Sequence, residues 1–130
     1  MDSNASVRLK AVAGRQTVRL THYGRKTGKP YKVTIWFVVD GDRVYIGSAN
    51  LNRQWVRNVQ RTARVTLAIG DQVFEGKARF LTDRAEHQRA MAAIRRKYWM
   101  FRPILALGRL LTALGLMRDT TGSFEVSLAG

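Results

Sequence analysis

The groups with the clearest chemistry lie in a short basic segment, residues 24–30 (GRKTGKP), which joins two strand-like runs at residues 15–22 and 31–39. Glycines permit backbone conformations that other residues avoid, while guanidinium, ammonium and hydroxyl groups donate hydrogen bonds to anions. The segment therefore predicts an anion-binding hairpin, above all for a phosphate. An exposed turn that is merely basic is the alternative.

The spacing of this segment excludes the common nucleotide-binding loops. Gly24 and Gly28 enclose three residues where a P-loop has four, and Pro30 follows Lys29 where a P-loop has Ser or Thr. A strand is predicted after the segment instead of a helix, and the three-glycine dinucleotide fingerprint is absent. A nucleoside triphosphatase is therefore excluded.

Other catalytic chemistry is poorly represented. The sequence has no cysteine and only two histidines, so thiolate chemistry is excluded and no metal site is predicted. His22 is a lone histidine within a strand pattern, which favours a half-buried structural residue over a general base. The nine acidic residues are scattered or in turns. An enzyme of this composition would depend on a cofactor for its chemistry.

Length and charge narrow the range of partners. A chain of 130 residues is expected to form one domain, and a formal charge of +14 predicts an anionic partner. Nucleic acid, an acidic membrane surface and a polyanionic small molecule all fit. Residues 1–13 lack the apolar core of a signal peptide, and no run of about 18 apolar residues could span a membrane. A cytoplasmic protein is expected.

Alternating apolar residues predict a mainly β fold of six short antiparallel strands, a small barrel or sandwich. Residues 1–14 are expected to form an N-terminal arm, loose or briefly helical, and residues 15–130 a single domain. The strands are predicted at 15–22, 31–39, 43–48, 64–69, 72–81 and 122–128.

Three helices are predicted between these strands. A short helix after strand three, with Asn50 or Asn52 as its N-cap, ends near residues 61–63. Asp83 and Glu86 have capping-box spacing and open a helix that runs to about Arg102. The apolar residues 103–117 are predicted to form a further helix before the last strand.

Several segments together resemble the deazaflavin-dependent nitroreductase family. These segments are residues 21–30 (THYGRKTGKP), the turn at 40–43 (DGDR), residues 46–48 (IGS) and residues 55–59 (WVRNV). The resemblance covers about residues 18–81. It implies the fold of the flavin-binding split β-barrel superfamily, here a six-stranded, Greek-key-like split β-barrel. It also implies coenzyme F-420 as cofactor, with FMN as the alternative.

The resemblance further implies which residues contact the cofactor. The basic loop would hold the phosphate and the acidic tail, and the next strand would pass beside the deazaflavin ring. The segment before the short helix would close over the ring. The implied cofactor-binding residues are Arg25, Lys26, Thr27, Gly28, Lys32, Val33, Thr34, Ile35, Ser48, Ala49, Asn50, Trp55 and Asn58.

Two catalytic roles are expected from the same resemblance. Ser48 or a backbone N–H would hydrogen-bond the ring, and Tyr98 or solvent would supply a proton after hydride delivery. Pure core packing is an equally good role for Trp55. The sequence departs from the family pattern at Ile35, where a proline is common, and only residues 49–54 separate Ser48 from Trp55. The resemblance therefore supports the class of cofactor better than it supports the identity of the substrate.

The expected function is transfer of a hydride from reduced F-420 to a hydrophobic acceptor, a quinone, enone or nitroaromatic. The alternatives are a split barrel that binds FMN, a tetrapyrrole or a lipid without turnover and, less favoured, a basic barrel that binds nucleic acid.

Residues 103–117 would form a dimer interface or barrel cover, a lid, or a membrane contact. With residues 95–97 they could meet anionic headgroups, so peripheral membrane contact through 95–117 is one expectation. Either a monomer or a homodimer is compatible with the sequence.

Overall fold

A curled, seven-stranded antiparallel sheet forms the body of the protein in the computed structural model, which describes residues 3–98, 107, 110, 111, 114 and 121–129. Three helices accompany the sheet in this part of the chain. The elements are α1 (Ser3–Val12), β1 (Val18–Tyr23), β2 (Pro30–Ile35), β3 (Phe37–Asp40), β4 (Arg43–Ser48), α2 (Gln54–Arg61), β5 (Arg64–Ile69), β6 (Gln72–Phe80), α3 (Arg84–Lys97) and β7 (Gly122–Leu128).

The strand order is β2-β1-β5-β6-β7-β4-β3, so β2 and β3 lie at opposite ends of the sheet. A single residue, Trp36, separates these two strands in the chain. The sheet must therefore curl until its two ends meet, which is the geometry of a split barrel. The predicted mainly β split-barrel fold is confirmed.

The predicted number of six strands is wrong, because the run at residues 31–39 is two strands. Ile35 pairs with Val18 on β1, whereas Phe37 pairs with Ile46 on β4. The alternation of side chains continues through the break: Val33, Ile35, Phe37 and Val39 all pack in the main core. Because inward and outward side chains alternate without interruption, the sequence pattern does not indicate that the chain changes its pairing strand at Trp36.

Two apolar clusters lie on opposite faces of the sheet. The larger cluster combines strand side chains such as Leu20, Ile46 and Phe124 with residues of α1 and α2. The smaller cluster packs α3, through Ala90 and Ile94, against Val38, Tyr45 and other residues. The helices thus cover apolar strand faces that would otherwise be exposed to water.

Residues 1–14, predicted as a loose or briefly helical arm, contain the helix α1. Its Leu9 and Val12 are buried in the main core. Arg8 extends this contact, because its Nε donates to Gln72 Oε1 at 2.7 Å and its guanidinium lies 4.7 Å from the centroid of the Phe74 ring. The helix is therefore a packed part of the fold.

The ends of the other helices differ in part from the predictions. The N-cap of α2 is Arg53 and not Asn50 or Asn52, and it makes no side-chain cap bond because a guanidinium has no acceptor. Asn50 Oδ1 accepts from the Asn52 N–H at 2.9 Å within the preceding turn. The start of α3 is confirmed, since Asp83 Oδ2 accepts from the Glu86 N–H at 3.3 Å.

The predicted end of α3 near residue 102 is not observed, because the helix ends at Lys97 and residues 99–106 lie outside the described residues. The predicted helix at 103–117 lies mostly outside them too. Within the described ranges, no helix has the length and apolarity to cross a membrane. The same ranges contain no cluster of three or more metal-ligating His, Asp or Glu side chains.

Candidate functional site

The basic loop between β1 and β2 is held in a compact hairpin by its own backbone. Tyr23 pairs with Pro30 at the base, where the Gly24 N–H donates to the Lys29 carbonyl at 2.9 Å. The Gly28 N–H donates to the Gly24 carbonyl at 3.0 Å, and Thr27 Oγ1 accepts from the Lys29 N–H at 3.3 Å. The loop therefore has a defined shape before any ligand binds.

The shape of the loop requires a glycine at position 28 and leaves little room for a side chain at position 24. Gly28 has a φ of 71°, which places it in the left-handed region that other residues rarely adopt. A Cβ atom on Gly24 would lie 3.1 Å from the Tyr31 ring and 3.2 Å from Thr27 Oγ1. The result is a tight turn that leaves Arg25 and Lys26 exposed at its surface.

Arg25 is fixed against the helix α2. Its Nη1 donates to Asn58 Oδ1 at 2.6 Å and lies 3.5 Å from the carbonyl oxygen of Gln54. Both contacts use the same nitrogen, so Nε and Nη2 of this exposed side chain can donate to a ligand. Two parallel N–H donors suit a phosphate or carboxylate.

Asn58 connects the loop to a buried histidine. Its Nδ2 lies 3.0 Å from Nδ1 of His22, and the two residues are 1% and 4% exposed. Burial lowers the pKa of His22 from its ordinary value of 6.5, which favours the neutral ring. The ring also stacks on Tyr31 with centroids 5.9 Å apart. His22 was predicted to be half-buried; it is buried and has a specific polar partner.

The segment before α2 forms a separate turn around Ser48. The Ser48 hydroxyl donates to the Asn50 carbonyl at 2.9 Å and accepts from the Asn50 N–H at 3.1 Å. Ala49 and Asn50 are exposed at this turn, and Ser48 is half-buried at the end of β4. The turn leads directly into α2, which also holds Arg25.

The other residues of the predicted site fall into two groups. Lys32 and Thr34 are exposed on the outer face of β2, whereas Val33 and Ile35 turn inward and pack on the core. Trp55 belongs to the core as well, with its ring 5.7 Å from that of Phe124. Its burial favours the packing role for this tryptophan.

Tyr98 occupies a buried structural position and not the mouth of a pocket. The residue is 3% exposed and its ring stacks on Trp36 with centroids 4.1 Å apart. Its hydroxyl accepts from the Phe37 N–H at 3.1 Å and donates to the carbonyl of Gln16. Burial raises its pKa, so the proton is held tightly. We therefore give Tyr98 no part in the proposed chemistry.

Lys97, the residue before Tyr98, was placed by the sequence analysis only in the stretch expected to meet anionic headgroups. Its Nζ donates to the Phe37 carbonyl at 2.9 Å and lies 3.6 Å from the centroid of the Phe37 ring. Burial lowers the pKa of Lys97 to about 8. An open depression of about 320 Å³ lies beside it, and none of the residues that line it belongs to the predicted cofactor site.

The structure thus brings Arg25 and Asn58 into direct contact. The other predicted site residues are distributed over the rest of the loop, β2, the end of β4 with the turn that follows it, and the start of α2. The sequence analysis missed the role of His22 as partner of Asn58. A signal was present, because His22 continues the buried face of Val18 and Leu20, and buried polar side chains are almost always hydrogen-bonded.

The groups of the loop fit the chemistry of the implied cofactor. Coenzyme F-420 carries a phosphodiester and a polyglutamate tail, and the hairpin presents the exposed cations Arg25, Lys26 and Lys29 beside one another. The fixed guanidinium of Arg25 matches the phosphodiester, and the lysines match the acidic tail.

Comparison with known proteins identifies the family of the chain and agrees with the fold. The model of a family described as F420H(2)-dependent quinone reductase matches residues 2–102. A solved F420-H2 dependent reductase is 22% identical with a TM-score of 0.66, and covers 86% of this chain and 94% of its own. A solved F420 reductase is 14% identical with a TM-score of 0.63, and the match covers 93% of each chain.

A flavin protein has the same fold. A FAD-binding protein from Mesorhizobium loti is 14% identical with a TM-score of 0.66, and the match covers 100% of this chain and 91% of that protein. The three structural matches establish the shared fold, and the family model extends over most of the chain.

Proposed function

Because the chain belongs to the F420H(2)-dependent quinone reductase family, we propose that it uses reduced coenzyme F-420 to reduce a hydrophobic acceptor, a quinone, enone or nitroaromatic. The observation that carries this proposal is the basic hairpin, in which Arg25 is fixed by Asn58 with donors left for an anion. FMN shares the phosphate and is the competing cofactor.

The residues of the chain would bind and orient the cofactor. Arg25 and Lys26 would hold its phosphate and acidic tail, and Thr27 and Gly28 would keep the turn tight. Lys32–Ile35 and Ser48–Asn50 would flank the ring, and the Ser48 hydroxyl would donate to the ring in place of the Asn50 carbonyl, its acceptor in this structure. When bound, F-420 supplies the hydride, so the protein mainly has to position the reactants and exclude water.

A binding titration tests the cofactor. Purified protein is titrated with F-420 and with FMN at low and high salt, and binding is followed by fluorescence. We expect tighter binding of F-420, weakened by salt because the contacts are between charges. Tighter binding of FMN, or no binding of F-420 at low salt, would contradict the proposal.

The role of the loop is tested by replacing both Arg25 and Lys26 with alanine. We expect F-420 affinity to fall by roughly tenfold or more, since the variant loses two charged contacts. Lys77→Ala is the matched control, because Lys77 is an exposed cation on β6 outside the site. An unchanged affinity in the double variant would show that the loop is not the phosphate site.

Turnover is tested with reduced F-420 and menadione as the acceptor. Oxidation of the cofactor is measured as the gain of oxidised deazaflavin absorbance. The wild-type protein is expected to oxidise the cofactor only when menadione is present. In Ser48→Ala we expect kcat to fall more than F-420 affinity, because the hydroxyl is proposed to act at the ring. Binding without turnover would favour a cofactor-carrying role.

We further propose that residues 95–117 contact membranes, where a hydrophobic acceptor would be found. Leu107, Leu110 and Leu114 are each more than half exposed, at the spacing of one helical face. Arg96 is an exposed cation in the same stretch. Flotation with anionic and zwitterionic vesicles tests this, with Leu110→Gln as the variant and Val73→Gln, another exposed apolar position, as the control.

A further inference from the structure

We infer that His22 is a positioning residue that acts through Asn58 on Arg25, so that the anion-binding arginine is held in place only while His22 is neutral. The inference rests on the proposed function for the identity of the ligand. The hydrogen-bond chain that carries it, Arg25–Asn58–His22, belongs to the protein itself.

The direction of each hydrogen bond in this chain is fixed by Arg25. A guanidinium can only donate, so Asn58 must present its amide oxygen to Arg25. The amide nitrogen of Asn58 then faces His22 and donates to Nδ1. The Nδ1 atom must therefore carry no proton, which places the single ring proton on Nε2 and leaves the ring neutral.

Protonation of His22 is incompatible with this arrangement. A proton on Nδ1 would face the amide N–H of Asn58, donor against donor. Reversing the amide would satisfy His22 but would turn the NH₂ group toward Arg25. Since Asn58 is almost fully buried, water cannot replace the lost partner without a cost. Protonation of His22 and the Arg25–Asn58 contact therefore exclude each other.

The surroundings of His22 support the neutral form. The groups that face it are the Tyr31 ring on β2 and Asn58 on α2, with the positive charge of Arg25 behind the amide. Burial is the cause of its lowered pKa. The ring is thus neutral at pH 7, and it gains a proton only at a lower pH than an exposed histidine would.

The consequence is a reciprocal coupling between the anion site and His22. If an anion needs Arg25 in this position, its affinity falls as His22 gains a proton. By linkage, anion binding lowers the pKa of His22 still further. We expect F-420 affinity to fall by roughly five- to tenfold when His22 is protonated, the lower part of the usual range of such couplings.

The experiment compares wild-type protein with His22→Gln by F-420 titration between pH 5 and pH 7.5. Glutamine presents a side-chain carbonyl that accepts from Asn58 and does not titrate. We expect affinity near that of the wild type at pH 7.5, with the acid-dependent loss removed. Titration of the cofactor itself contributes equally to both proteins and cancels. His87→Gln is the control, because His87 bonds to Ser123 and not to Asn58.

A second variant tests the chain without any ligand. In Asn58→Asp the carboxylate accepts from both Arg25 and His22, so protonated His22 becomes favourable and its pKa should rise above 6.5. NMR titration of the His22 ring, with the Arg25 guanidinium signals recorded in parallel, measures this. In the wild type the Arg25 signals should shift as His22 gains its proton, whereas a purely structural contact would leave them unchanged.

The outcomes separate the two proposals. If F-420 fails to bind at every pH, the proposed cofactor is wrong, and the NMR titration alone decides the role of His22. If F-420 binds with the same pH dependence in wild type and His22→Gln, the role of His22 is overturned. A His22 pKa that stays below 6.5 in Asn58→Asp would overturn it too.

Discussion

The hydroxyl of Tyr98 lies 3.1 Å from the backbone nitrogen of Phe37, the first residue of β3, and accepts its hydrogen bond. The same hydroxyl donates to the carbonyl of Gln16, just before β1. One side chain at the end of α3 thus joins the chain near two different strands. This relationship explains why a tyrosine stands at a buried position, where the hydroxyl must be satisfied.

Replacement of Tyr98 by phenylalanine is expected to lower the free energy of unfolding by about 1–3 kcal/mol, because the buried backbone groups lose their partner. Urea unfolding measures the change. Tyr31→Phe is the control, since Tyr31 is 42% exposed, and should cost much less. A Tyr98→Phe protein of normal stability but without reductase activity would return Tyr98 to the role of proton donor.

Because of Lys97, we expect the free energy of unfolding to rise with increasing pH. Its pKa in the folded protein, about 8, lies below the ordinary value of 10.5. Between these values the unfolded chain binds more protons than the folded one, so the free energy of unfolding increases with pH. This contribution of Lys97 to the free energy of unfolding is fully present above pH 10.5 and is lost as the pH falls toward 8.

The measurement is urea unfolding between pH 7.5 and pH 9.5, below the range in which Tyr98 ionises. The slope of the free energy of unfolding against pH should be smaller in Lys97→Met than in the wild type. It should be retained in Lys77→Met, which removes an exposed lysine. Parallel slopes in wild type and Lys97→Met would show that Lys97 titrates normally.

Gly28→Ala tests the left-handed turn of the basic loop. At a φ of 71° an alanine is expected to cost about 1–2 kcal/mol of stability and to weaken anion binding by distorting the turn. Gly14→Ala is the matched control, because it has no positive φ and an added Cβ would meet nothing within 4 Å. Unfolding by urea and F-420 titration together check this, and equal effects at both glycines would contradict it.

Leu9→Ala tests whether α1 is part of the folded core. Leu9 is fully buried, so the variant should lose about 2–5 kcal/mol of stability. Val7→Ala on the same helix removes an exposed side chain and should change little, because Val7 is 67% exposed. If both variants unfold at the same urea concentration as the wild type, α1 does not contribute to the core in solution.

The sequence predicted elements where a local pattern determines them. The strands at 43–48 and 64–69 and the Asp83 cap were correctly placed, because alternation, turn residues and capping are properties of a few adjacent residues. The break at Trp36 was missed because it depends on which distant strand each half pairs with, and both halves keep the same inward face.

The site was predictable to the same degree. Residue types and a family resemblance indicated the basic loop, and its hairpin position is confirmed by the pairing of β1 with β2. The residue types and the resemblance could not show that the Tyr98 hydroxyl bonds to backbone groups. They also could not show that Arg25 donates to Asn58. Both contacts join residues more than thirty positions apart, so local pattern contains no information on them.

The position of β7 constrains how the protein is made. This strand comes last in the chain, yet it lies between β6 and β4 near the middle of the sheet. Until residues 122–128 leave the ribosome, β4 and β6 each present an unpaired edge that can pair with another chain. The barrel therefore cannot close before this strand has been made, and any truncation before Gly122 should produce an aggregating chain instead of a smaller folded one.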